Sequence, residues 1–265
     1  MEPSLKIEFF PSVTSDIKAQ DELNKKIVHE VIDKFENESL ILKKQKILVY
    51  FGAFSSYIPR LKKALGAVKV RGTDEYDEFI KEVINQESRN KIDNLEDFKY
   101  LVYLSSDIRK CDKKKYKIFT IAHEFQHVLQ FLKYPWTCLR KKHKVLFWYF
   151  DLKTLSCFRL PMEYDAIREA KLINYRIFGK GDVDNFIDEK INKSREDTEK
   201  LYWENVKSID LDIEYNLENG VKEFWERYKL EIDEEAKRQR GKVKHKENER
   251  AFLNAYNNYL KVCKK

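Results

Sequence analysis

From Met162 onward, apolar residues recur every three or four positions almost without a break, and this spacing constrains the fold more than any other feature of the chain. Sets such as Leu201, Val206 and Ile209, then Val221, Phe224, Trp225 and Tyr228, then Ala251, Leu253, Tyr256 and Leu260 lay an apolar stripe along one helix face. Seven Gly and five Pro in 265 residues point the same way. They are too few for a glycine-hinged nucleotide fold, a β-sandwich full of tight turns, or linker sequence. With 42% hydrophobic residues, 15 Tyr, 17 Phe and 4 Trp, the chain can bury a real core.

The first half is mixed. Leu23, Ile27, Val31 and Phe35 predict a helix over Asp21 to Phe35. Ile47–Phe51, closed by Gly52, reads as a buried strand, and so does Tyr100–Leu104, which ends in a polar Ser105-Ser106-Asp107 turn. Val68–Val70 reads as a further strand and Ile58 to Leu65 as a short helix. Thr73 or Asp74 is placed to cap a helix running to about Gln86, with Tyr76, Phe79, Ile80 and Val83 inward. A long helix is expected from Lys114 to Lys133, stopped by Pro135. Val145–Phe150 fits a strand or a short helix, and Leu146 to Phe150 reads as plain core rather than a pocket wall. Pro161 opens the next helix, which runs to Phe178 with its stop read at Gly181. The expected fold is α+β: a small mixed sheet with a long helix, then a mainly helical part. It forms one composite domain, with an α/β part over 1–134 and a helical part over 135–265.

The formal net charge is +7, unevenly spread. Lys43 to Arg71 holds eight basic residues and no acid; Lys110 to Lys144 holds ten, with Asp112 and Glu124 as the acids. Such stretches can draw nucleic acid or acidic substrates, but no helix-turn-helix, zinc-finger or RNA-binding sheet motif accompanies them. Met1 to Phe10 lacks the basic-then-apolar pattern of a signal peptide, and no apolar run nears the length of a membrane span. Cys111, Cys138, Cys157 and Cys263 are widely spaced and form no CxxC pair. They read as free thiols of a reducing cytoplasm.

One segment carries chemistry. Thr120 to Gln130 contains His123-Glu124-Phe125-Gln126-His127, an HExxH sequence, on a segment that independently reads as a helix. Residues four apart on a helix share a face, so both imidazoles can reach one metal ion. Glu124, beside the first imidazole, is placed to take a proton from water and pass it to a leaving amine. The strand Tyr100–Leu104 precedes the motif, so it is expected to offer a sheet edge that holds an extended peptide.

A zinc ion at a reaction centre takes three protein ligands and leaves a position open. His29, His143, His245 and the acids are the candidates for the third. No histidine follows His127 closely, and His143 sits in a run of lysines. Glu163 is better placed, in the first turn of a helix whose small residues Ala166 and Ala170 permit close approach. Glu169 is the alternative if the helix begins elsewhere.

HExxH followed by a helix bearing Glu163, then Asp165-Ala166, resembles the gluzincins, and most nearly the small intracellular ones found with phage and mobile-element regulators. The likeness spans Tyr100 to Phe178. It implies a zincin-like fold and a zinc-dependent peptidase acting on a peptide or protein substrate. His123, His127 and Glu163 would be the zinc ligands, Glu124 the general base, and Asp165 a group supporting a ligand histidine. Two departures stand out. Pro161-Met162 replaces the Asn that precedes the ligand glutamate in longer members, and no histidine stands ready to stabilise an oxyanion, leaving Tyr164 or Tyr175 for that task. The alternative is a basic, helical protein associated with nucleic acid or with regulation, whose metal site is structural or inactive.

Overall fold

The computed structural model describes residues 5–9, 15–52, 65–80, 97–242 and 245–263. In chain order the elements are β1 (Leu5–Phe9), α1 (Ser15–Asp33), α2 (Ser39–Lys43), β2 (Ile47–Phe51), β3 (Gly66–Val70), α3 (Asp74–Phe79), β4 (Tyr100–Leu104), α4 (Ser106–Lys110) and α5 (Lys114–Lys133). There follow α6 (Cys138–Leu152), α7 (Pro161–Phe178), α8 (Lys180–Lys193), α9 (Asp197–Ser208), α10 (Leu217–Arg240) and α11 (Glu247–Cys263). The architecture is α+β and mainly helical, with one small four-stranded mixed sheet. Two compact units can be distinguished: 1–129 with 169–186, and 130–168 with 187–265. Neither is continuous, because α5, α7 and α8 each run through a unit boundary.

The first unit holds the sheet, in the order β1-β2-β4-β3. β1, β2 and β4 run parallel, with Leu5 opposite Ile47 and Ile47 opposite Tyr100; β3 is antiparallel to β4, with Gly66 opposite Leu104. Every residue of β2 and β4 is buried, as expected for unbroken apolar runs in the middle of a sheet covered on both faces. This corrects the expectation that Tyr100–Leu104 is an edge. It lies between β2 and β3, and among the described strands the edges are β1 and β3, both half-buried. β1 was not legible as a strand, since its Lys6 and Glu8 interrupt the apolar signal; they pair with each other at 3.1 Å. One sheet face packs Leu48, Tyr50, Leu101 and Tyr103 against Tyr76 and Phe79 of α3.

Thr73 is the cap of α3: its Oγ1 accepts from the Tyr76 amide at 3.2 Å. The continuation of that helix to Gln86, with Val83, lies outside the described residues, as does the helix read over Ile58 to Leu65, apart from Leu65. The expected turn after β4 is a short helix, α4, begun at Ser105. A buried polar knot ties α1, α4 and α5 together. The Asn24 side chain donates to the Arg109 carbonyl at 3.0 Å, Arg109 holds Asp21 through two bonds of 2.9 and 2.7 Å, and Lys117 donates to Asn24. Burial lowers the Lys117 pKa below the usual lysine range.

α7 ends at Phe178 because Gly179 adopts φ 84, a conformation only glycine takes without strain. The stop therefore falls at Gly179, two residues before the Gly181 that was expected, and Gly181 sits in the first turn of α8.

In the second unit, Val145–Phe150 is helix throughout, part of α6. Val145, Leu146, Tyr149 and Phe150 pack with Trp225 and Ile232 of α10 and with Phe252 and Tyr256 of α11, so this aromatic run is core, as its composition suggested. The expectation of four free thiols is overturned for two. Cys138, which opens α6, and Cys263, which closes α11, are disulfide-bonded; Cys111 and Cys157 are free. The spacing argument failed because the fold brings the first turn of one helix beside the last turn of another, 125 residues on. It also removes the cysteine argument for a reducing compartment. Among the described residues, no helix is long and apolar enough to cross a membrane.

Candidate metal centre

α5 is a helix because its apolar residues Ile118, Ile121, Ala122, Phe125, Val128 and Leu129 are spaced to be buried together, and all are. That burial leaves His123 and His127 half-buried, one turn apart. Their rings stand nearly perpendicular, at 87°, with centroids 4.7 Å apart and the two Nε2 atoms at 3.1 Å. Nitrogens bound to one tetrahedral zinc at about 2.0–2.1 Å lie roughly 3.3 Å from each other, so this pair already converges at the spacing a shared ion requires.

Glu163 sits in the first turn of α7 and is half-buried. One ligand atom from each of His123, His127 and Glu163 lies within 4.8 Å of the others. Two imidazoles and a carboxylate are a donor set that suits zinc or another divalent metal at a reaction centre. Among the described residues, this is the one group of His, Cys, Asp or Glu side chains so clustered. The rival third ligands lie elsewhere. His29 is exposed on α1, His143 is buried in α6, and His245 stands just before α11. Glu169 pairs with Arg176 at 3.3 Å.

Asp165 accepts a hydrogen bond from Gln130 at 2.7 Å, and the same Gln130 amide donates to the Met162 carbonyl at 2.9 Å. Gln130 was passed over in the sequence. The available signal was a polar residue one turn beyond His127, in a run whose neighbours are all apolar; it is 1% exposed. Glu124 is buried, and its side chain lies directly against Gly66 at the start of β3.

Of the tyrosines considered for an oxyanion, Tyr175 has its hydroxyl engaged and Tyr164 makes a ring contact. Tyr164, expected to pack on its own helix, stacks at a tilt on Tyr215 with centroids 4.8 Å apart. Tyr175 donates to Asp184, and burial together with that bond pushes its phenol above the usual range. The segment after α9, for which the sequence suggested no role, is fastened to α7. Arg168 donates to the carbonyls of Leu211 and Ile213, each at 3.2 Å, and Tyr215 donates to that of Pro161 at 3.3 Å.

No family model, curated protein or solved structure significantly matches this chain.

Proposed function

We propose that this chain is a zinc-dependent peptidase with a zincin-like fold, a gluzincin in its ligand set. The observation that carries the reading is the convergence of the two Nε2 atoms at 3.1 Å with the Glu163 carboxylate beside them. His123, His127 and Glu163 would hold the metal. A bound zinc supplies Lewis acidity, making water a nucleophile near neutral pH and polarising a carbonyl. The chain's own part begins with Glu124, one residue from a ligand. It takes the proton from the attacking water and hands it to the departing amine nitrogen, so that hydroxyl ends on the carbonyl carbon and hydrogen on nitrogen.

β3 is the strand suited to hold an extended peptide. The Ser105 amide donates to the Leu65 carbonyl and the Arg71 amide to the Lys99 carbonyl, both at 2.9 Å. Bonded pairs alternate along an antiparallel ladder, so Ala67 and Lys69 also bond toward β4. The amides and carbonyls of Gly66, Val68 and Val70 then point out of the sheet, where a substrate strand can pair with them. Gly66 lies against Glu124, which brings that edge next to the general base.

The test is elemental analysis of protein purified without added metal, together with cleavage of a mixed peptide library. About one zinc per chain is expected, much reduced in Glu163→Ala, with cleavage lost in Glu124→Gln while zinc is retained. Absence of zinc even after reconstitution would sink the reading.

One observation gives the nucleic-acid alternative some footing: Arg140, Lys141 and Lys144 gather around Trp136, at 4.1, 4.3 and 5.3 Å from its ring centre. Other cations of the same run are committed internally. Lys114 pairs with Glu30 at 2.9 Å, Lys115 with Asp182 at 3.5 Å, and Lys117 is buried. Salt-dependent binding of single-stranded DNA or RNA, weakened in Trp136→Ala, would favour it.

A further inference from the structure

Gly66 is the first paired residue of β3, a strand position where a side chain is the ordinary choice. Its backbone does not ask for a glycine: the positive-φ glycines of the described chain are Gly72 and Gly179. Nor is it a turn, since it pairs with Leu104 in regular antiparallel register. The reason lies in what faces it. A Cβ built on Gly66 would fall 2.6 Å from Glu124 Cγ, 2.6 Å from its Oε1 and 2.7 Å from its Cδ. Carbon atoms do not approach so closely, so one of the two must move. The strand is fixed by its ladder to β4, including the Leu65 carbonyl that accepts from Ser105 immediately before Gly66. The Glu124 side chain is the softer partner, with three rotatable bonds, and would yield first.

We propose that Gly66 is a positioning residue for Glu124. Its bare α-carbon is the wall against which the carboxylate rests, holding it in one rotamer beside β3, an edge among the described strands. The role rests on the peptidase reading for its consequence, but the contact itself does not. A methyl group at this position pushes the carboxylate off the place where it meets the attacking water. A displacement of about 1 Å is enough to cost on the order of 10²-fold in rate. The metal ligands are expected to keep their places, because the clash falls on the Glu124 side chain and the backbone of α5 that carries His123 and His127 need not move.

The experiment uses the full chain with Gly66→Ala, Glu124→Ala and the double variant. Gly66→Ala is expected to keep its bound zinc and its KM and to lose kcat by on the order of 10²-fold. Its crystal structure should show the Glu124 side chain in a different rotamer from the wild type. Thermal melts complete the cycle: Gly66→Ala lowers Tm in the wild-type background and leaves it unchanged or raised in Glu124→Ala, where the space is vacant. That comparison holds even if the single variant folds poorly. An unchanged Glu124 rotamer in Gly66→Ala, equal Tm effects in both backgrounds, or full kcat in an active enzyme overturns the proposal. A wild-type chain that binds no zinc or cleaves no peptide sinks the peptidase reading instead, and leaves the rotamer and the melting cycle to decide what Gly66 does.

Discussion

The side-chain amide of Gln130 donates to the carboxylate of Asp165 at 2.7 Å, and its second hydrogen goes to the carbonyl of Met162 at 2.9 Å. One amide therefore grips α7 on both sides of Glu163, from a position one turn past His127. The gripping residue is almost fully buried, so its bond to the Met162 carbonyl is shielded from bulk water, while the bond to the half-buried Asp165 is shielded in part.

Gln130→Leu keeps the bulk and removes both donors. It should lower zinc affinity by roughly 10- to 100-fold, the usual range for groups that hold metal ligands in place, and destabilise the fold by about 1–3 kcal/mol. Competition against a chromophoric chelator reads the first quantity and urea unfolding the second. Lost stability with unchanged zinc affinity would mean that Gln130 only joins two helices.

The Cys138–Cys263 disulfide closes a loop of 125 residues around the helical unit, tying the start of α6 to the end of α11. Restricting so long a loop in the unfolded chain stabilises the fold by about 3–5 kcal/mol. Cys263→Ser should therefore lower the unfolding midpoint clearly, and a reducing agent should lower the wild type to meet it. Wild-type protein whose stability ignores reductant would show that the bond contributes nothing.

Glu235 is buried in α10 beneath a ring of donors. Burial opposes its ionisation, but bonds from Arg238, Lys153 and Gln239 outweigh that penalty and bring its pKa down to about 2. A folded pKa below the unfolded one means that the unfolded chain binds protons first as pH falls. The stabilisation is thus complete above about pH 5 and is lost as pH drops toward 2, a difference on the order of 3 kcal/mol. Melts of wild type and Glu235→Gln across that window should converge as pH falls. Parallel curves would show that the carboxylate is not the titrating group.

The amino-acid sequence by itself determined the local elements and the pair of histidines. Period-four spacing marked α1, α5 and the helices of the second half, and unbroken apolar runs marked β2 and β4, because both signals are written within a few neighbouring residues. The His123 and His127 convergence is likewise local, a consequence of one helical turn. Only the tertiary structure decided that, among the described strands, β4 is interior and β3 an edge, since strand order depends on pairings between distant segments. The sequence already favoured Glu163 as the third ligand and left Glu169 as the alternative, and it is Glu163 that the structure groups with the two imidazoles. The tertiary structure alone brought Cys138 to Cys263, Gln130 to Asp165 and Gly66 to Glu124. These contacts join residues far apart in the chain, and the energy that selects them comes from packing whole helices and strands, which no short stretch of sequence records.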